Sequence, residues 1–530
     1  MSISFSHIPA SLRVPLFYAE MDNSAANIGS QTLNTLLMGQ MLPTGSAVPD
    51  VVIPVSDPNS AITLFGQGSM LARMVQVYRN QDSGSCNLWC LPLRDGVEGS
   101  YASGSITLSG IASAAGTIAL YFAGQVVYVA VQQGDAADRI AASMAMMINT
   151  DADLPVTATT GLPSGSIQPN YPVMQGNTPA IASSTPSALV RLRCRWPGLT
   201  GNDITLQDSF LGWTAGESIP SGITLMYSGP TLSGGTMDPV LNNTAISAMG
   251  DTPFDFIIHP YAQAMALDAL QLELNDNTGR WSYVRQIYGH AYTARRGRLS
   301  DLVAFGATRN DQHHTIAAMD EACPHPAWEY AAAYGGANAV DIANDPARPT
   351  QTTPLYGLLA PPAGKSFLFE ERQSLLNFGI ATSFVSGGQL CVERAITTYQ
   401  QNAFGVSDTS YLDSETLHTS AYVLRALKSV ITSKYPRHKL ADDGTRFAAG
   451  QAIVTPSVIK GELCAIYGDL EYQGIVENLD TFKKYLIVER DSNDPNRLNV
   501  LFPPDYVNQL RVFAVLNQFR LQYPVSQIVP

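Results

Sequence analysis

Charge is what this chain has least of. Only 14% of its 530 residues are Asp, Glu, Lys or Arg, against about 25% in an ordinary soluble protein. Because 45% are hydrophobic, much of the surface is expected to be neutral and polar or covered by partners. The formal charge of −13 excludes bulk nucleic-acid binding, since phosphate contacts need clustered Lys and Arg. Cysteine is sparse too. Cys86, Cys90, Cys194, Cys323, Cys391 and Cys464 are scattered without a CxxC pair, which excludes a disulfide framework and reads as reduced thiols in a cytoplasmic product. No run of about 18 apolar residues occurs, and the N-terminus lacks a basic segment followed by an apolar one. Neither a membrane span nor a signal peptide is expected. The length exceeds what one core holds, so about two to four domains are expected.

What is present begins with the two ends. Leu12, Val14, Leu16 and Tyr18 alternate with Arg13, Pro15 and Phe17, and Pro15 suits an edge position because it has no N–H to donate. At the other end, residues 507–523 read as a long strand. Phe513 and Val515 lie in an apolar stretch, and Phe519, Leu521 and Tyr523 then alternate with Gln518, Arg520 and Gln522. Free strands of this kind leave N–H and C=O groups unpaired. They pair either within their own sheet or by strand addition between subunits.

Between the ends, the pattern divides the chain into an arm at 1–22, the first part of an α/β core at 23–95, a β-rich insertion at 96–235, a central α/β domain at 236–365, an α+β domain at 366–505 and a terminal arm at 506–530. The fold class is therefore mixed α/β and α+β, multidomain. A helix is expected from Gly68-Ser69 through Tyr78, and a hairpin from TIALYF and QVVYVAV around Ala123-Gly124. Asp135 is expected to cap a helix that buries Ile140, Met144, Met147 and Ile148. The segment 155–188, rich in Pro, Ser, Thr and Gly, reads as a long surface loop. In the central domain a strand is expected at Phe254, a helix carrying Ala262, Met265, Ala269 and Leu272, a strand near 287–292 and a helix from Pro326 to about Ile342. Two later helices are well marked. One carries Leu417, Ala421, Leu424, Leu427 and Ile431; the other opens with Thr455 as cap and Pro456 in the first turn, and buries Ile459, Leu463, Ile466 and Leu470. FKKYLIVER and LNVLF read as closing strands.

Sites that would carry catalysis are weak. Gly364-Lys365-Ser366 imitates the end of a P-loop, but the required glycine position holds Leu359. Asp311, His313, His314, Asp320, Glu321, Cys323 and His325 include metal-ligand types without HExxH or CxxC spacing, and adjacent histidines point to opposite faces of a strand; a polar loop is the expectation. Ser69 in GQGSMLA resembles the nucleophile segment of subtilisin-type proteases, but the order of candidate partners is wrong and a Ser at a helix start is an ordinary cap. No carboxylate pair stands out. The alternative of an α/β hydrolase rests on the central domain alone. No cofactor is called for.

Two stretches are basic and free of acids. Arg425, Lys428, Lys434, Arg437 and Lys439 lie between Glu415 and Asp442, with Arg425 and Lys428 placed to project together from one helix face. Arg280, Arg285, Arg295, Arg296 and Arg298 form a rival patch. Arg191, Arg193 and Arg195 alternate beside Trp196, which lines one strand face with cations.

Several long segments in order carry a family resemblance: DPARP at Asp345, PLYGLLAPP at Pro354, ERQSLLNFGIAT at Glu371, VERAITTYQQNAFGVSDTSYLD at Val392, LADDGTRFAAGQAIVTP at Leu440 and VERDSNDPNRLNVLFPPDYVNQLRVFAVLNQFRLQ at Val488. RVPLFYAEMDNS, LFGQGSMLARM and LYFAGQVVYVAVQQGDAADRIAASMAMMIN add to it. The chain resembles the tail sheath proteins of Mu-like contractile-tailed bacteriophages; the stretch 155–245 carries no residue-by-residue match. The resemblance implies a structural subunit, not an enzyme, that forms hexameric rings stacked around a tail tube. It implies a subtilisin-like central fold without catalysis, and arms exchanged between subunits through Leu12, Val14, Leu16, Tyr18, Phe513, Val515, Phe519, Leu521 and Tyr523. It implies a C-terminal domain facing the tube, which assigns tube contact to the 425–439 stretch, and partners in the tube, baseplate and terminator proteins. Location is then the virion, after assembly in the host cytoplasm. Sheaths of tailocins and type VI secretion machines are the structural alternatives, the latter divided between two proteins.

Overall fold

The computed structural model of the chain describes residues 32–161, 187–241, 243–448 and 450–521. It opens with β1 (Asn34–Gln40), β2 (Ile53–Pro54), α1 (Pro58–Phe65), α2 (Met70–Gln81) and β3 (Asn87–Leu93). Next come β4 (Tyr101–Gly110), β5 (Gly116–Phe122), β6 (Gln125–Val131), α3 (Ala137–Thr150), β7 (Val156–Gly161), β8 (Ser187–Pro197), β9 (Leu206–Asp208) and β10 (Ile223–Tyr227). The chain returns through α4 (Asn243–Ala248), β11 (Phe256–Ile258), α5 (Ala264–Leu274), β12 (His290–Arg296), α6 (Leu299–Gly306), β13 (His314–Met319) and α7 (Ala327–Asn344). It finishes with α8 (Phe369–Asn377), β14 (Thr382–Ser386), β15 (Gln389–Arg394), α9 (Ser414–Lys434), β16 (Lys439–Leu440), β17 (Ile453–Val454), α10 (Pro456–Tyr472), α11 (Leu479–Tyr485), β18 (Ile487–Arg490) and β19 (Leu498–Leu501).

The core is a six-stranded sheet in the order β13-β12-β11-β1-β3-β2, parallel except for β2. A parallel sheet needs cover on both faces, and the side chains alternate accordingly. Leu37, Phe256, Ile258 and Tyr292 join the cluster that includes α2 and α7, whereas Leu36, Met38, Ile257 and Ala291 join α4 and α5 on the other side. Gly335 lets α7 lie close to the sheet, since a Cβ there would come within 2.6 Å of Ile258. Ser69 caps α2, its hydroxyl accepting from Ala72 N–H at 3.2 Å.

The residues between β3 and α4 form two small antiparallel sheets, β10-β4-β8-β7 and β6-β5-β9, with α3 packed on them. The β5–β6 turn is the expected Ala123-Gly124, with φ of 52° and 77°, as a type I′ hairpin requires. Gly124 also packs against His325, where a Cβ would lie 2.4 Å from the ring. This unit is cemented to the core. Asp203 Oδ2 accepts from Ala327 N–H at the start of α7 while its Oδ1 pairs with Arg296 at 2.5 Å, and Trp196 meets Trp328 edge to face at 5.4 Å.

Several expectations are corrected. α5 buries Ala266, Leu267, Leu270 and Leu274 and leaves Met265 and Leu272 exposed, because both helix faces carry apolar residues and the sheet lies against the other one. Asp135 does not cap α3; its carboxylate accepts from Gln132 N–H and pairs with Arg139. FKKY belongs to α11 rather than a strand. Residues 156–161 form β7 instead of a loop, and 162–186 lie outside the described residues. Among the histidine cluster, Asp311, His313, His314, Asp320, Cys323 and His325 are buried, although β13 is the end strand of the sheet; residues around Ala381 cover its outer side. Among the described residues no group of three or more His, Cys, Asp or Glu could hold a metal, and no helix is long and apolar enough to cross a membrane.

Candidate functional site: the root of the C-terminal arm

The third unit is built on α9, α10 and α11, with β18 and β19 as an antiparallel pair. α10 starts as the sequence implied, with Thr455 as cap, Pro456 in its first turn and Ile459, Leu463, Ile466 and Leu470 buried. Tyr467, Phe482 and Phe502 stack within this core.

α9 ties this unit to the central sheet. His418 stacks on Phe256 with centroids 4.8 Å apart, and its Nε2 lies 3.0 Å from the Tyr292 hydroxyl. Two turns on, Arg425 pairs with Asp255 at 2.5 Å and lies over the Tyr288 ring, while Asp255 Oδ2 accepts from Asn34 N–H. Helix and sheet therefore meet at the edge where β1, β11 and β12 begin. Imidazoles cluster about these strands: His259, just past β11, and His314 share a hydrogen bond between Nε2 atoms at 2.9 Å, and His290 Nε2 bonds Thr315 Oγ1 at 2.8 Å. Burial pushes all four of these histidines down, His259 and His418 to about 3; Arg425 adds to the shift of His418, and the neighbouring histidines to those of His290 and His314.

The terminal arm leaves from the same place. Tyr506 bridges Val476, and Val507 N–H donates to Ile475 at 3.2 Å. Arg511 then donates to Glu415 Oε1 at 2.9 Å and to Asp413 Oδ1 at 3.3 Å. Glu415 is fully buried and also accepts from the N–H and hydroxyl of Thr350, both at 3.1 Å. Asp413 takes a fork from Arg394 at 2.8 and 2.9 Å. Beyond this root the chain joins no sheet among the described residues. Phe513 is 80%, Val515 69%, Phe519 77% and Leu521 96% exposed. The expected terminal strand is thus absent among the described residues of the arm. Leu12, Val14, Leu16, Tyr18 and Tyr523 lie outside the described residues.

The basic stretch divides. Lys428, Lys434, Arg437 and Lys439 are exposed; Lys434 pairs with Glu462 at 2.5 Å and Lys439 meets Gln451 at 3.3 Å. Arg425 does not project beside Lys428. It continues the Leu417–Ala421 stripe at helical spacing and turns inward to Asp255, a partner that an acid-free window in the sequence hides. The rival arginines are engaged too: Arg280 is buried against Glu273 and carbonyls, Arg285 pairs with Glu273 and Asp251, Arg295 lies over Phe305, and Arg298 pairs with Glu321. Arg191 and Arg193 are exposed along β8, with Arg193 over Tyr101 at 3.7 Å, whereas Arg195 donates to the Leu154 carbonyl at 2.7 Å. Between α9 and the central unit a groove of about 360 Å³ remains, lined by Trp281, Leu424, Leu427, Phe502 and Tyr506, with Asp276 and Gln312 also on its wall.

Over 524 residues the chain is 40% identical to the Mu-like prophage FluMu tail sheath protein of Haemophilus influenzae, a match covering 98% of this chain and all of that one. The chain belongs to the phage tail sheath family. Residues 235–398 match the phage tail sheath protein central domain and 406–520 the phage tail sheath C-terminal domain. Among solved structures it is similar to the sheath tail protein of Desulfitobacterium hafniense (11% identity, TM-score 0.47, 94% of this chain and 97% of that one). It is also similar to that of Listeria innocua (12%, 0.46, 90% and 92%) and to the anti-feeding prophage helical sheath in its contracted state (10%, 0.44, 96% and 100%). This sheath protein is therefore a structural component of a contractile tail in the virion and not an enzyme. Ser69, wholly buried, is only a helix cap.

Proposed function

We propose that this sheath subunit polymerises as stacked hexameric rings around the tail tube, and that its contraction drives the tube through the host envelope. The observation that carries the reading is the arm. Residues 512–521 present a run of apolar side chains to water, starting from a root held by Arg511. An exposed apolar strand is a liability unless another chain pairs with it. A receiving edge lies on the same unit: the β18–β19 pair is only two strands wide, and Ile487, Val500 and Leu501 are exposed on it. A two-stranded pair is marginal by itself and gains from added strands. Arms from neighbouring copies, N-terminal and C-terminal, complete such sheets into a mesh that stays linked while the bodies rotate. The central unit has a subtilisin-like arrangement without its chemistry, the β-rich insertion faces outward, and exposed Lys428, Lys434, Arg437 and Lys439 face the tube. Tube, baseplate and terminator proteins are the partners. Truncating residues 507–530 or 1–20 is expected to leave native-like circular dichroism but no tubes by negative-stain microscopy. Normal polymerisation of both truncations overturns strand exchange.

A further inference from the structure

Residues 397–412 project from the edge of the central unit as a loop whose tip is densely hydrogen-bonded. At its base Gln400 and Gln401 donate backbone N–H groups to Asn310 Oδ1 at 2.7 and 3.0 Å, and the Gln400 side chain donates to the carbonyls of Gly306 and Arg309. At its tip Asn402 Oδ1 accepts from Phe404 N–H at 3.0 Å and Val406 N–H at 3.2 Å, while Asn402 N–H donates to the Val406 carbonyl at 2.9 Å. This scaffold holds Phe404 90% and Val406 60% exposed. A scattered apolar residue on a surface needs no explanation. An aromatic on a tip already ordered by its own hydrogen bonds buries itself in a partner with little further entropy loss, as an interface anchor does.

The groove beside α9 has the opposite character. Helical spacing places Leu424 with the inward-facing residues, yet it stays 41% exposed and lines the groove with Leu427, Phe502 and Trp281. Its one carboxylate, Asp276, already accepts from Gln312 and His313, at 2.7 and 3.0 Å. The groove is too small for a helix, which is about 10 Å across. The terminal arm also suits it poorly, because a wall made of side chains leaves an extended backbone unpaired. The tip carries no charge from Tyr399 to Ser407 and satisfies its own backbone. The exposure of Phe404 shows that it does not fill its own groove.

We propose that the Phe404–Val406 tip of one copy seats in the groove between α9 and Phe502–Tyr506 of a second copy. Tip and groove are made of different residues, although Tyr411 at the foot of the same loop lines the groove; repeated head-to-tail, such a contact builds rings and helices rather than closed dimers. The inference rests on the reading that subunits polymerise. Two experiments on the full chain test it. Phe404→Glu is expected to keep the wild-type circular dichroism but raise the concentration needed for tube formation about 30-fold or more, as loss of a hot-spot residue does. In assembled wild-type background, Phe404→Cys with Leu427→Cys is expected to give a ladder of cross-linked oligomers, and a mixture of the two single variants to stop at dimers. Tube formation by Phe404→Glu at the wild-type concentration overturns the proposal, as does cross-linking of Leu427→Cys to Leu516→Cys of the arm in place of the tip. Tubes that form from wild type while these results fail leave the sheath reading intact; a wild-type chain that forms neither rings nor tubes overturns both.

Discussion

Arg511 and Glu415 lie 2.9 Å apart, joining the root of the terminal arm to the first turn of α9 through a carboxylate that Thr350 also holds. Three distant segments therefore converge on one buried oxygen: the connector after α7, the helix that docks on the central sheet, and the arm. The arm and the helix start are thus anchored to the same carboxylate.

Arg511→Met leaves the Glu415 charge buried without its counter-ion. Breaking a buried pair of this kind costs about 3–5 kcal/mol, which urea unfolding followed by tyrosine and tryptophan signals will register. Adding Glu415→Gln is expected to restore most of the loss. A double variant no more stable than Arg511→Met would show that Arg511 acts by packing alone.

Acid should loosen α9 from the sheet. His259 and His418 are held at about 3 by burial, with Arg425 adding to the effect on His418, against about 6.5 when unfolded. The unfolded chain therefore binds protons first, so the stability tied to the neutral rings is complete above pH 6.5 and falls steadily as pH drops toward 3. Urea midpoints are expected to decrease between pH 7.5 and 5. His418→Gln, which can keep the bond to Tyr292, is expected to shallow that slope; an unchanged slope would remove His418 from the account.

How much of this was legible depended on the range of the interaction. Thr455-Pro456, Ser69 and Ala123-Gly124 set caps and a turn by local chemistry, and the structure places them where the pattern does. α5 was misread because Met265 and Leu272 are apolar yet face outward, and periodicity cannot say which side the sheet is on. FKKY looked like a strand because its neighbour LIVER does; Tyr467 and Phe502 stacking on Phe482 favours the helix. The Arg511–Glu415–Thr350 junction spans contacts of 65 and 96 residues. Arg511, one of only two charged residues in the arm, was its only sequence trace.

The basic stretch now divides into two tests. Lys428→Glu with Arg437→Glu is expected to abolish nucleation on purified tubes at low salt while leaving the subunit's thermal stability unchanged, because exposed ion pairs contribute only about 0–1 kcal/mol each. Arg425→Met is expected to lower stability instead, by stranding Asp255 at the sheet edge. Unimpaired assembly of the double variant on tubes would remove this face from the tube contact.

The inserted unit offers an exposed turn at Trp213, which is 83% accessible. An epitope placed between Gly212 and Gly216 is expected to bind antibody on intact sheaths without loss of assembly. Antibody that reaches the free subunit but not the sheath would place this unit inside the lattice.

The Trp196–Trp328 pair has a use outside mechanics. Both rings are 1% exposed and lie edge to face across the joint that Asp203 and Arg296 lock, so their emission reports a joint with little freedom to move. Trp281 borders the groove and stacks on His313 at 4.9 Å, so its emission responds to whatever enters there. With Trp89 and Trp213 replaced, the subunit would contain its own optical reference beside its own optical sensor.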